Sequence, residues 1–363
     1  MTTPGRPRRL PAVPLPRRPF VSVVIPCYNY EDYVAGAVES ALSQGGVDVE
    51  VIVVDDRSTD GSATVVGAIA DQDDRVRLIR HTENRGAVDT FNHGLARVRG
   101  EYLVRLDADD LLTPGSLRRS TALAEAHPSV GLVYGHPLHF TGTELPRPRL
   151  RARTWTVWPG STWLEDRCRT GVNVITSPEV LMRRSVVDEV GGQRDLAHTH
   201  DMEMWLRIAC VSDVGYVAGA DQAWHREHAR SLSQSLDPRF GDLEDRRDAF
   251  ATLFAWSADR VPATPALRIL AARALADEAL RAIVHMSDRG RSDADLVRRY
   301  RAFAEETDPG GRTLPHAAAA SLALRRGSRR PAPWQTARAG LRRIDRDLQY
   351  ARWHRTGVFT PGR

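Results

Sequence analysis

Between residues 20 and 134, five short apolar runs alternate with segments whose apolar positions recur at helical spacing. The runs cover residues 21–25, 49–54, 76–79, 102–106 and 130–134 and are rich in Val and Ile. They are too short for buried helices and too unbroken for strands with one wet face, so they predict strands covered on both sides. Between them, Val34, Ala37, Val38, Ala41 and Leu42 mark one helix. Asp60-Gly61-Ser62 opens a second helix, residues 86–98 form a third, and a fourth starts near Pro114. Strands alternating with helices make an α/β fold, a mostly parallel sheet flanked by helices.

In such sheets ligands collect beyond the carboxyl ends of the strands. Three polar clusters stand there: Tyr28-Asn29, Asp55-Asp56 and Asp107-Ala108-Asp109-Asp110. Asp107 and Asp109, one residue apart, point the same way and can hold a divalent cation. A hard ion such as Mg²⁺ or Mn²⁺ prefers oxygen ligands, keeps several waters, and neutralises charge growing on a diphosphate leaving group. Asp110 is expected to cap the helix near Pro114, and Arg57-Ser58-Thr59-Asp60 reads as turn chemistry.

Composition removes several alternatives. The 363 residues include no Lys, so the net charge of +5 comes from Arg alone and reflects coding bias more than a nucleic-acid partner. Cys27, Cys168 and Cys210 are too few and too scattered for a disulfide framework or a zinc site. Together with the absence of a signal-like or membrane-spanning apolar run, they point to a cytoplasmic protein, at most peripheral at the inner face of the membrane. The first strand leads into Pro26-Cys27-Tyr28-Asn29, not a Gly-rich dinucleotide loop, which excludes a dehydrogenase. A nucleotidyltransferase would need a phosphate-loop Lys that this chain lacks.

Three regions are expected. Residues 1–19, with six Pro and five Arg, read as a disordered arm; 20–235 form the α/β domain; 236–363 are helical with a basic tail. Residues 321–363 carry eleven Arg against two Asp, which would suit peripheral contact with anionic lipid.

Residues 21–62 (VSVVIPCYNYEDYVAGAVESALSQGGVDVEVIVVDDRSTDGS) resemble the opening of family 2 inverting glycosyltransferases, which have the GT-A, Rossmann-like fold. Asn84-Arg85-Gly86, the LDADD of residues 106–110 and the HDMEMWLRIA of residues 200–209 follow in that family's order and spacing, covering residues 20–235. The resemblance implies a nucleotide-sugar donor, UDP- or dTDP-linked, and a hydroxyl acceptor on a saccharide, a lipid-linked saccharide or a small molecule. By position, Pro26, Tyr28 and Asn29 would hold the nucleotide, with Tyr28 stacking on the base. Asp56 would accept from a uracil-type imide, Arg85 would approach the phosphates, and Asp107 would contact ribose or metal-bound water. Asp109 would ligate Mn²⁺ or Mg²⁺, and His228, in a segment continuing to Ser231 and Ser233, would be a further metal or diphosphate contact. Arg226 is placed to pair with phosphate.

Asp201 matches the family's catalytic base, with Glu203 as the alternative. The residue before it is His200, where the family usually has an acid. Thr176, Ser177 and Pro178, after Asn173, resemble the acceptor-side stretch. Trp155, Trp158, Trp163 and Trp205 are read as packing residues before sugar platforms. The competing class is a non-catalytic nucleotide-sugar-binding subunit or sensor.

Overall fold

The computed structural model describes residues 5–228, 240–290, 293–326 and 333–356. The chain divides into two compact units, residues 1–164 with 174–234, and residues 165–173 with 235–363.

The first unit is built on one ten-stranded sheet. Its parallel core is β2 (Phe20–Cys27), β3 (Asp48–Asp55), β4 (Val76–Arg80) and β5 (Tyr102–Arg105), in the order β5-β2-β3-β4. The connections run through helices α1 (Val34–Leu42), α2 (Ser62–Ala70) and α3 (Gly86–Leu95). Val21, Val23, Val24, Ile25 and residues 51–54 are fully buried, as unbroken apolar runs require when helices cover both faces. Close approach of α3 depends on Gly94, where an added Cβ would stand 2.5 Å from Val24 Cγ1.

The other half of the sheet is mixed. It contains β7 (Val130–Phe140), β8 (Thr154–Trp158), β9 (Leu181–Arg183) and β10 (Asp213–Arg226). β10 runs parallel to β7 and antiparallel to β8, and β9 joins the halves by pairing antiparallel with both β5 and β7. The two-residue β6 (Leu111–Leu112) pairs antiparallel with β10 at Ala223 and Trp224. Helices α4 (Ser116–Ala126), α5 (Gly160–Thr170), α6 (Arg184–Val190) and α7 (His200–Val211) complete the order up to β10.

The N-terminal arm, expected to be disordered over residues 1–19, includes an edge strand instead. β1 (Arg8–Pro11) pairs antiparallel with β8 from Arg8 opposite Val157 to Pro11 opposite Thr154. An edge position leaves one side of the strand without partners, so a Pro there costs no ladder bond.

The second unit is helical, with α8 (Gly241–Ser257), α9 (Thr264–Asp288), α10 (Ala294–Thr307), α11 (Ala317–Arg326) and α12 (Pro333–Thr356). Buried Arg246 donates to the Gly171 carbonyl and pairs with Asp242 and Glu278. Among the described residues no helix is long and apolar enough to cross a membrane.

Candidate active site

The three polar clusters meet at the carboxyl ends of β2, β3 and β5, as their parallel order requires. Asn29 and Arg57 adopt left-handed backbone conformations, with φ of 61° each. Asn29 fastens two loops: its N–H donates to Ser58 Oγ at 3.0 Å, and its Oδ1 accepts from the Thr59 N–H at 2.8 Å. A short amide tolerates this backbone and bonds locally, so Asn29 holds the two loops together as much as it presents a polar group. Tyr28 is 45% exposed beside it, free of the packing that holds most aromatic rings. Pro26 is half-buried at the end of β2.

Asp56 is buried and extensively bonded. Its Oδ1 accepts from the Arg85 N–H and its Oδ2 from the Gly86 N–H, each at 2.8 Å, which holds the start of α3. His81 Nδ1 also meets Oδ1 at 2.7 Å, and His81 Nε2 meets His93 Nδ1 at 2.6 Å with the two rings stacked. One lone pair on Oδ2 remains for a ligand N–H. The guanidinium of Arg85 is about half exposed, 3.8 Å from Glu83.

The acidic turn splits by role. Asp107 is partly exposed, with Oδ1 2.9 Å from Arg105 Nη2. Asp109 is 8% exposed, and its Oδ2 lies 2.7 Å from His228 Nε2. The His228 ring stacks on Tyr33 at 5.7 Å. Burial, then the Asp110 and Asp107 carboxylates, push the Asp109 carboxyl up to about 6, against the pull of His228.

Asp110 does not cap a helix. α4 begins after Gly115 with no side-chain cap, while Asp110 Oδ1 accepts from the Arg226 N–H at 2.8 Å and Oδ2 meets His225 Nδ1 at 3.0 Å. The β6–β10 pairing carries Asp110 to the end of β10, away from the helix. Burial lowers the basicity of His225, but the Asp110 carboxylate outweighs it and holds the imidazole up to about 9. Arg226 donates to the Asp109 carbonyl and lies over the Tyr33 and Phe140 rings, which fixes its stem beside the acidic turn.

The donor set fits a hard divalent cation. Two ligand atoms ~2.1 Å from an octahedral ion, at a right angle, are about 3 Å apart. The Asp109–His228 separation of 2.7 Å is close to that. Among the described residues no group of three or more His, Cys, Asp or Glu could hold a metal alone. Asp109 and His228 could supply only part of such a shell, and other oxygen ligands would have to complete it. A cation would also relieve the mutual repulsion of Asp107, Asp109 and Asp110.

Asp201 opens α7. Its Oδ2 accepts from Ser177 Oγ at 2.7 Å and its Oδ1 from the Met202 N–H at 2.6 Å. Glu203 is fully buried in an ion pair with Arg207, which also donates to the carbonyls of Val190, Gly191 and Gly192. Glu203 thus ties α7 to the segment after α6 and is not presented to a substrate.

Arg105 and His200 lie between the two acidic positions. Nη1 of Arg105 is 2.7 Å from His200 Nε2 while Nη2 reaches Asp107. Burial and the Arg105 charge lower the His200 pKa, so the neutral ring accepts from the guanidinium. Neither this bridge nor the His81–His93 pair, nor Tyr33, was anticipated. Trp155, Trp163 and Trp205 are buried and Trp158 stacks on Tyr134, which makes them packing residues. Asn173 clusters with the second unit, and Ser231 and Ser233 lie outside the described residues.

The model of the family described as Glycosyl transferase family 2 matches residues 22–191. The succinoglycan biosynthesis protein ExoO of Rhizobium meliloti is 45% identical over 108 residues, 30% of this chain and 30% of that protein. The putative glycosyltransferase EpsE of Bacillus subtilis is 29% identical over 203 residues, 52% of this chain and 66% of that protein. The chain thus spans less than two thirds of the length of these relatives. Among solved structures, S. aureus TarS 1-349 in complex with UDP-GlcNAc has a TM-score of 0.56 at 14% identity, over 85% of this chain and 92% of that one. The mannosyltransferase PcManGT from Pyrobaculum calidifontis, in complex with GDP-Man and Mn2+, has a TM-score of 0.52 at 19% identity, over 86% of this chain and 89% of that one. At those identities the likeness is one of fold, of the GT-A type. The family model thus matches across the strands and turns that carry the acidic clusters, and residues 22–191 form a glycosyl transferase family 2 domain.

Proposed function

We propose that the chain is a metal-dependent inverting glycosyltransferase, moving a sugar from a UDP- or dTDP-linked donor to a hydroxyl on a glycan, a lipid-linked saccharide or a small molecule. The observation that carries this reading is the continuous link from Asp107 through Arg105 to His200, the residue next to Asp201. It ties the donor-side acid to the start of the helix that bears the acceptor-side acid.

Tyr28 supplies an exposed ring for the nucleobase, and Asp56 keeps one acceptor position for a base N–H. Asn29 holds the loop between them, with Pro26 at its start. Arg85 is exposed where it can meet phosphate. Asp109 and His228 would hold Mn²⁺ or Mg²⁺, and Asp107 would contact ribose or water at that ion. When bound, the cation stabilises the departing nucleoside diphosphate.

Asp201 accepts the proton of the attacking hydroxyl as that oxygen bonds to the anomeric carbon and the diphosphate leaves. Ser177 and the Met202 N–H hold the carboxylate in one orientation. A single base suffices for direct attack from the opposite face, which inverts the anomeric centre. TarS is in complex with UDP-GlcNAc and PcManGT with GDP-Man and Mn2+; those ligands are theirs, and they lend support here to a nucleotide-sugar donor and a divalent ion. Polysaccharide assembly in the cytoplasm, with peripheral membrane contact through the basic C-terminal region, belongs to the same reading.

The test is Asp201→Asn. Donor binding by calorimetry is expected to stay within about twofold, while transfer to acceptor falls by 10²-fold or more, on the order of general-base contributions. Full transfer activity in that variant removes Asp201 as the base.

A further inference from the structure

The second unit carries an apolar stripe that the transferase reading does not use. Of the large apolar residues exposed among the described residues, Trp334, Leu341, Ile344, Leu348 and Tyr350 all lie on α12. Leu341, Ile344 and Leu348 are 67%, 58% and 64% exposed. At about 100° per residue, they and Trp334 fall within an arc of roughly 80° on the helix. That is one continuous stripe along α12, not scattered surface leucines.

The adjoining flank is anchored. Arg338 and Arg342 both pair with the buried Asp288 at the end of α9, each at 2.6 Å. This contact fixes the helix with the stripe turned away from α9. Leu341, Ile344 and Leu348 are left open to solvent.

Charge selects the occupant. Residues 333–356 hold six Arg against two Asp, and the stretch from residue 321 to 363 holds eleven against two. Two copies of such a helix placed stripe to stripe would each bring a net positive charge to the contact. A surface of acidic lipid headgroups offers the complementary charge, and guanidinium groups bind phosphate oxygens in a forked geometry. An apolar stripe on a helix whose polar face is rich in arginine is the pattern of a helix lying in a membrane interface. The same charges keep α12 from spanning a bilayer.

We infer that α12 is an interfacial helix that seats the chain on an anionic membrane through Leu341, Ile344 and Leu348, with arginines gripping the headgroup phosphates. Such a seat would hold the enzyme at the surface where lipid-linked acceptors reside. The inference does not depend on catalysis, and its test reads no activity.

Full-length protein is co-sedimented with vesicles of phosphatidylcholine alone and of phosphatidylcholine mixed with phosphatidylglycerol, at low and high salt. Binding is expected to the acidic vesicles, at least about tenfold tighter than to the neutral ones, and weakened by salt. The triple variant Leu341→Ser, Ile344→Ser, Leu348→Ser is expected to lose at least about tenfold in affinity with its melting curve unchanged, since all three side chains are exposed. Arg343→Gln with Arg352→Gln, which keeps every apolar residue of the stripe, is expected to weaken acidic-vesicle binding too. Absence of binding to acidic vesicles overturns the inference, as does a charge variant that binds like the parent. Self-association in sedimentation velocity that the triple variant abolishes, without vesicle binding, assigns the stripe to a second copy instead.

Discussion

Arg105 and His200 meet at 2.7 Å, the guanidinium donating to a neutral imidazole Nε2. The other end of the same fork holds Asp107 at 2.9 Å. A strand-end arginine therefore joins the acidic turn to the first residue of α7.

A point-charge replacement should break this bridge. Lys keeps the charge of Arg105 but cannot reach both partners with one ammonium. Arg105→Lys is expected to lower kcat about 10–100-fold, the usual cost of losing a partner that orients a metal-site carboxylate. It should also raise the metal concentration needed for half-maximal rate. Steady-state kinetics across a Mn²⁺ titration measure both, and wild-type behaviour would show the bridge to be inert.

Glu203 and Asp201 separate by different losses. Glu203→Gln removes one partner of a fully buried ion pair, which costs about 3–5 kcal/mol. The expected outcome is a lower melting temperature with kcat of the folded fraction near wild type. A loss of kcat with unchanged melting would make Glu203 the base instead.

Proton and metal should compete at Asp109. Its carboxyl is held up to about 6, and only the ionised form binds a cation. Apparent metal affinity is thus expected to be flat above pH ~7 and to fall towards tenfold per pH unit below about 6. Affinity that does not change between pH 5 and 8, checked by calorimetry at each pH, would contradict Asp109 as the ligand.

Glu179 gives a stability prediction. It is buried, its Oε1 accepts from the Thr176 N–H, and its Oε2 has no hydrogen-bond partner among the described residues. Burial raises its pKa well above the carboxylate range. The folded chain then keeps a proton that the unfolded chain gives up, so the stability from this group is full below about pH 4 and is lost as pH rises. Glu179→Gln keeps the Thr176 acceptor and stays neutral, and is expected to stabilise the protein by about 1–3 kcal/mol at pH 8. The gain should shrink towards zero near pH 4, as read from thermal melts across that range.

The parallel half of the sheet and the acidic strand ends were legible in the sequence because unbroken Val/Ile runs admit few alternatives. Of the mixed half, β7 was legible from the run at 130–134, but β8 was not. β8 alternates buried Trp155 and Val157 with half-covered neighbours, but it sits in a Pro- and Arg-rich stretch that hides the period of two. β1 was missed because its pairing is set by β8, far along the chain. Asp107 and Asp109 could be read as a local pattern. Arg105 could not, since its meaning comes from His200, almost a hundred residues away. Asp110 was given a local cap when a long-range partner, the end of β10, holds it. The same limit hid the His81–His93 pair behind Asp56.

Under the proposed function, Asp109 holds the metal on which cleavage of a nucleotide sugar depends. Its most direct measurement is nucleoside diphosphate release from a panel of UDP-, GDP- and dTDP-sugars, with Mn²⁺ or Mg²⁺ and with chelator. Release is expected from at least one UDP- or dTDP-sugar, abolished by chelator and reduced by about 10²-fold or more in Asp109→Ala, the scale of a lost charge-stabilising group. Nucleotide binding that needs no metal, with no release from any donor, would contradict it and leave the chain a sugar-nucleotide sensor.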